Sequence, residues 1–286
     1  MVEVELESKV EKVQVAPAPW ALDKLPPFPA VATRLMQVLA KEDANINEVG
    51  RIIAAEPVFA TRVLQIANSP LFALQRQVKT IAHAITLLGF QRVKSVTMTR
   101  AMGDFVGPAL KIEPLRKCWQ NSLAGALLAE KLARCCQMDA DVAYLAALLR
   151  DIGRLALLVK WPGPYANLLA TVAADSFDMM ATERDLFDID HCEAGAWVLA
   201  HMQFPEVLCQ VAARHHEIPA GPFGIIQLVR VADLMADSLG FGVLAGIPGP
   251  EWIEVLAQLP EPARSHFQHQ PEELRAETLS KIQSWK

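Results

Sequence analysis

The sequence predicts an all-α fold, and three observations carry that reading. From Leu25 onward, apolar residues recur three and four positions apart, the spacing of one helix face. Helix caps and breakers bracket these apolar runs at intervals of a helix length. The chain has 286 residues, 52% of them hydrophobic, but only 2 Tyr, 11 Phe and 6 Trp. Leu and Ala must therefore fill the core, and both favour helix. No strand-rich region and no 20–50-residue repeat stands out.

Taken in order, residues 1–19 alternate Val or Leu with charged residues and end in Ala16-Pro17-Ala18-Pro19, a linker composition, so a flexible tail is expected. Pro26, Pro27 and Pro29 precede a helix with Val31, Leu35, Val38 and Leu39 on its apolar face. Asn47 is positioned to cap a short helix bearing Val49, Ile52 and Ile53. Pro57 suits the first turn of the next helix, which buries Val58, Val63, Leu64 and Ala67 and stops at Asn68-Ser69-Pro70. Thr80 caps a helix carrying Ile81, Ala84, Ile85 and Leu88, and Gly89 ends it. A helix with Val93, Val96 and Met102 follows, and Gly103 to Pro108 reads as a break between two lobes.

The second lobe opens with a long helix holding Leu115, Trp119, Leu123, Leu127 and Leu132. Asp139 or Asp141 caps the next, which is expected to contain Arg150-Asp151 and to end at Trp161-Pro162-Gly163-Pro164. Helices are expected near 165–174, 181–188, 191–202, 205–215 and 222–239, and two more in the proline-containing stretch after Gly246.

Composition excludes several function classes. A net charge of −5 argues against general electrostatic binding to nucleic acid or anionic lipid. Arg92, Lys94 and Arg100 form one small basic candidate, with a solvated helix face as the plainer reading. Five cysteines with no CxxC pair argue against a disulfide framework or a cysteine zinc site, and reduced thiols in a cytoplasmic protein are expected. The apolar run Val142 to Leu149 is far short of the roughly 20 residues a membrane span needs.

The most informative stretch is Leu148-Leu149-Arg150-Asp151-Ile152-Gly153-Arg154-Leu155. It resembles the His-Asp-Ile-Gly core of the HD phosphohydrolases, with Arg150 where that motif has a metal-binding His. Further segments are Leu25-Pro26-Pro27-Phe28-Pro29, Glu56-Pro57, Val63-Leu64-Gln65-Ile66-Ala67-Asn68-Ser69 and Ile85-Thr86-Leu87-Leu88-Gly89-Phe90. Later come His191-Cys192-Glu193-Ala194-Gly195-Ala196-Trp197, Phe204-Pro205 and Arg214-His215-His216-Glu217. In this order they are similar to the HDOD family, the HD-related output domains of bacterial signalling proteins, over about residues 20–240. The resemblance implies a two-lobed helical architecture. Residues 20–107 would form the N-terminal lobe, 108–240 a degenerate HD-like bundle, and 241–286 a helical extension outside the family region.

The resemblance also implies a site. In active HD enzymes a metal is held by a His on an earlier helix, by the His-Asp pair and by a later Asp. Those positions map onto Asn121, Arg150, Asp151 and Asp233. A guanidinium stays protonated and has no lone pair to give a metal, and an amide oxygen is a weak substitute for imidazole. Arg150 is expected to replace the metal as counter-ion of a carboxylate, or else to reach solvent. His191, His215 and His216 resemble positions of the extended metal site in the HD-GYP branch. With Asp151 and Asp233 they form a partial His/carboxylate set of the kind that suits iron, manganese or zinc. Each also has a structural reading: His191 at a helix start beside a carboxylate, His215 and His216 at a helix end favoured by its dipole.

No resident metal or cofactor is expected, and no catalytic residue is assigned. The implied role is a non-catalytic regulatory module that binds a protein partner, with Asn68, Ser69, Leu71 and Phe72 as a candidate interaction loop. The alternatives are a metal-dependent phosphohydrolase acting on a nucleotide or cyclic dinucleotide, and a nucleotide sensor without turnover.

Overall fold

The computed structural model describes residues 18–39, 46–68, 77–107, 110–171, 178–244 and 247–284. Among them every regular element is a helix. After a 3-10 turn at Trp20–Leu22 come α1 (Ala30–Leu39), α2 (Ile46–Ala54), α3 (Pro57–Ala67), α4 (Ile81–Leu88) and α5 (Phe90–Val106). They pack mainly on one another, and α5 also leans on α6 (Glu113–Cys135) and α7 (Ala140–Leu149). Phe28, ahead of α1, adds a second link: its ring lies 5.5 Å from Phe105 and 6.1 Å from Phe204.

Helices α6 and α7 form an antiparallel pair. Asp139 starts α7 by accepting from the amides of Asp141 and Val142, both at 2.9 Å. Ala143 to Leu149 are all buried, so α7 is apolar on every side and runs through the middle of the core. Around this pair lie α8 (Ile152–Lys160), α9 (Pro162–Thr171), α10 (Met179–Phe187), α11 (His191–His201), α12 (Glu206–Arg214) and α13 (Ile225–Ala236). α13 lies along α6 and continues into a π-turn, Asp237–Phe241. The chain ends in α14 (Trp252–Leu256), α15 (Ala263–Phe267) and α16 (Pro271–Ser284), with α16 tied to α6 by Lys131–Glu277. No helix among the described residues is long and apolar enough to cross a membrane.

Several sequence expectations match. The Thr80 side chain accepts from the His83 amide at 3.1 Å, and Gly89 ends α4 with a φ of 81°. Others need correction. Asn47 lies inside α2, which begins at Ile46, so it is not the cap. Gly103 does not break a helix, because α5 continues to Val106. Gly103 faces the Trp119 ring of α6, 3.8 Å from where a Cβ would stand, an ordinary contact distance. The helix that follows Asp151 ends at Lys160 with Trp161 as its C-cap, as expected, and Pro162 opens α9 directly, since a first-turn proline loses no hydrogen bond. The C-terminal stretch holds three helices, not two.

The basic candidate is neutralised: Arg92 donates to both oxygens of Glu130, Arg100 is paired with Asp104, and Lys94 lies near Asp141 and Asp139. Residues 1–17, the side chains of Val31, Leu39 and Val58, and Ser69, Leu71 and Phe72 lie outside the described residues. Asn68 is described, and its side chain is committed. It donates to the Leu64 and Val78 carbonyls, both at 2.8 Å, and accepts from the Val78 amide at 2.7 Å. It therefore ties together the two ends of segment 69–77.

Candidate functional site: a guanidinium cage beside a histidine cluster

Arg150 and Asp151 do not sit inside one helix. α7 ends at Leu149, and Asp151 precedes α8 with φ −97° and ψ 19°, the sparsely populated bridge region common at functional turns. The pair therefore forms the corner between two helices. Gly153 lets α8 approach α11: a Cβ there would lie 2.1 Å from the His191 carbonyl oxygen and 2.3 Å from the Gly195 amide. That close crossing sets His191 beside Asp151.

Arg150 is completely buried and does not reach solvent. Its Nη1 donates to the Ala147 carbonyl at 2.8 Å, and its Nη2 donates to both Asn121 Oδ1 and Asp233 Oδ1. Its Nε lies 3.2 Å from Asp151 Oδ2. Burial alone would lower its proton affinity, but Asp233 and then Asp151 outweigh that and raise it. The Asn121 amide works at both ends. While Oδ1 accepts from Arg150, Nδ2 donates to Asp237 Oδ1 at 3.1 Å. Space for the guanidinium comes from Gly125, one turn along α6 from Asn121, where a Cβ would sit 2.5 Å from Arg150 Nη1.

A second guanidinium flanks Asp151 on its other side. Arg154 Nε donates to Asp151 Oδ1 at 3.1 Å, and Arg154 Nη2 lies 3.1 Å from His191 Nε2. Burial pushes the Asp151 carboxyl up, but Arg154, then Arg150 and His215, hold it well below the usual carboxylate range.

Because a guanidinium can only donate, His191 Nε2 must accept. His191 is thus a neutral imidazole with its proton on Nδ1, donated to Glu183 Oε2 at 2.6 Å. Its lowered proton affinity agrees, burial being the first cause and Arg154 the next. Glu183 also accepts from the His191 amide at 2.8 Å and from the Tyr165 hydroxyl. His216, on the exposed side, brings its Nε2 within 2.8 Å of His191 Nε2 and presents its proton to the same lone pair. His215 is buried; its Nδ1 donates to the Ala212 carbonyl at 2.9 Å. Its Nε2 has no hydrogen-bond partner and points toward Asp151 Oδ1 at 3.6 Å.

A cavity of about 620 Å³ opens over this floor. Asn121, Asp151, Arg154 and His191 line its base, and Val243 and Leu244 belong to its apolar wall. Asp233 and Asp237 also face it. Burial, and then the neighbouring charge of Asp233, push the Asp237 carboxyl up to about 7, with Arg150 opposing.

Asn121, Asp151, Asp233, His191 and His216 thus line one cavity, with Arg150 and His215 buried behind them, in two groups that share Asp151. Asp233 belongs to the Arg150 side, not to the histidines. Arg154, Glu183, Asp237 and Gly125 are site residues that the sequence reading did not single out. Arg154 had a signal, because it follows Asp151 by three positions on a helix. Glu183, eight residues before His191, had none.

A profile of the HDOD domain matches residues 25–218, which is more than half of the chain. Asp233, Asp237 and the wall residues at 242–244 and 247–250 lie beyond that match. An HDOD domain protein of unknown function from Geobacter sulfurreducens superposes with a TM-score of 0.69 at 22% identity, covering 90% of this chain and 93% of that one. A candidate phosphohydrolase from Shewanella amazonensis SB2B gives a TM-score of 0.64 at 24% identity, over 92% and 93%. Identities this low show the fold. An uncharacterized protein of Treponema pallidum (strain Nichols) is 19% identical over 283 residues, 98% of this chain and 53% of that protein, so the chain spans about half the length of this relative. With the helical fold, the profile match and these neighbours together, the chain belongs to the HDOD domain family.

Proposed function

We propose that this chain is a regulatory module of the signalling type that acts by binding a protein partner and does not hydrolyse phosphodiesters. The observation that carries this reading is Arg150. A hydrolytic HD site needs a divalent cation between the earlier-helix residue, the motif pair and the later Asp. Here a buried guanidinium lies among Asn121, Asp151 and Asp233, held by four contacts. A dication 4 Å from that fixed charge would be repelled by roughly 8 kcal/mol at an effective dielectric near 20. The donors at this position therefore do not fit a metal.

One observation favours a second reading, a metal-dependent phosphohydrolase or nucleotide sensor with a reduced site. His191, His215 and His216 bring ring nitrogens together beside Asp151, and His215 Nε2 has no partner. A metal held there would polarise a phosphoryl oxygen and activate water.

The test is hydrolysis of cyclic dinucleotides and of a generic phosphodiester ester with added manganese, iron(II) or zinc, together with calorimetry of the same nucleotides. The proposal expects no turnover above the buffer rate. Metal-dependent turnover abolished by Asp151→Asn would establish the enzyme reading instead. Heat of binding without turnover would establish the sensor. Cross-linking in the source cell, followed by mass spectrometry, would identify the partner.

A further inference from the structure

The histidine group has the donor chemistry of a metal centre but holds a side-chain cation. His191 Nδ1 is fixed by Glu183 and His215 Nδ1 by the Ala212 carbonyl. A carboxylate or a carbonyl on one ring nitrogen is what leaves the other free, with its lone pair aimed, in metal-binding histidines. In this chain the freed atoms are His191 Nε2 and His215 Nε2, at 3.9 and 3.6 Å from Asp151 Oδ1. His216 Nε2 lies 2.8 Å from His191 Nε2 and stands on the exposed side, where an ion would enter. Cys192 is also near, with Sγ 3.9 Å from His215 Nδ1. Its Sγ and one ring nitrogen of each histidine lie within 4.8 Å of one another, but its neighbour on His215 is Nδ1, the nitrogen committed to the Ala212 carbonyl.

Arg154 takes two of these four atoms, and His216 Nε2 joins the set only with its proton moved to Nδ1. Arg154 Nε holds Asp151 Oδ1 at 3.1 Å, and Arg154 Nη2 faces His191 Nε2 at 3.1 Å. The guanidinium spans the two donors that a metal would bridge. Arg154 is itself buried, is packed beside Tyr165 and Glu183, and lines the cavity floor.

We infer that Arg154 is an internal cation that occupies and blocks a latent four-donor metal site made of Asp151, His191, His215 and His216, so that removing its guanidinium converts the protein into a binder of divalent transition metals. Two arginines then stand at this corner where cations would, Arg150 in a cage that cannot take a metal and Arg154 over donors that can. This rests on the non-hydrolytic reading above only in that both describe side-chain cations at the site. Its test reads metal affinity, not turnover, so either can fail alone.

The experiment is titration of the full chain with Co²⁺ at neutral pH, followed by its visible d–d absorption, for the unaltered protein, Arg154→Met and Arg154→Ala. Met retains an apolar stem in place of the arginine's. The expected result is no intense band for the unaltered protein at one equivalent and a one-to-one band for both variants. Their affinity should be at least about a hundredfold higher than that of the unaltered protein, and the band should be lost when His215→Ala is added. An equal band and affinity in the unaltered protein would overturn the inference, since Arg154 would then block nothing. Folded Arg154 variants that bind no Co²⁺ would overturn it too, since the donors would then not form a site. If both variants unfold without metal, refolding that depends on Co²⁺ supports the inference and refolding indifferent to Co²⁺ overturns it.

Discussion

Arg150 and Arg154 are buried guanidiniums on opposite sides of the same carboxylate, and their surroundings differ in kind. Arg150 sits in a space made for it. Gly125 provides the gap, Asn121 and the Ala147 carbonyl supply acceptors, and Asp233 and Asp151 supply charge. Arg154 sits among groups whose geometry suits another occupant. One neighbour, His191, has its free lone pair fixed by Glu183, and another, His215, leaves a buried nitrogen without a partner. The contrast teaches that replacing a ligand residue is not enough to rebuild a site. A substituted cation needs a cavity shaped for it and carboxylates to match its charge, and Arg150 has both, although its buried Nε makes no hydrogen bond.

Arg150→Ala should have the largest effect on stability. Removing the guanidinium leaves the half-buried Asp233 without its cation and the buried Asp151 with only one, which costs about 3 kcal/mol, the low end for a broken buried pair. Urea denaturation should show this as a lower midpoint with an unchanged slope. An unchanged midpoint would mean that the cage contributes nothing.

The next largest effect tests the fit of that cavity. Gly125→Ala places a methyl 2.5 Å from Arg150 Nη1, and overpacking of this kind costs about 1–3 kcal/mol. In an Arg150→Ala background the same change should be neutral or stabilising by about 0.5–1 kcal/mol, since Ala is the better helix residue once the clash is gone. A double-mutant cycle with no coupling would contradict the assignment of Gly125 to the guanidinium.

The smallest effect concerns the charge left over beside the cage. Asp237 is held near 7 when folded, against about 3.8 when unfolded. Between those values the folded state keeps a proton that the unfolded state releases. Its contribution to stability therefore falls as pH rises from about 4 to 7, and the loss is complete above 7. Asp237→Asn should remove that decline while keeping an acceptor for Asn121. Thermal melts should show the variant more stable by on the order of 1–2 kcal/mol at pH 8, with the gap closing near pH 4. A constant gap across that range would place the effect elsewhere.

Much of this was legible along the chain. Cap residues such as Thr80 and Asp139 and apolar spacing locate the helices, because both act over one or two turns. Where the reading failed, a local signal had been given the wrong tertiary meaning. Gly103 looks like a breaker but faces Trp119, and Arg150-Asp151 looks helical but forms a corner. Arg154 lay within reach of a spacing argument. Glu183 did not, because its link to His191 depends on how α10 and α11 are placed by the core.

The residue types alone determined that this is a helical protein of the HDOD pattern and that its motif carries a side chain unable to bind metal. A guanidinium is charged and lacks a lone pair wherever it sits. Only the tertiary structure decided that Arg150 is enclosed in a matched cage, and that Arg154 rather than solvent lies over the histidines. Those outcomes depend on which donors and gaps converge from α6, α8, α11, α12 and α13. The convergence is a property of packing between helices far apart in sequence, and no periodicity along the chain encodes it.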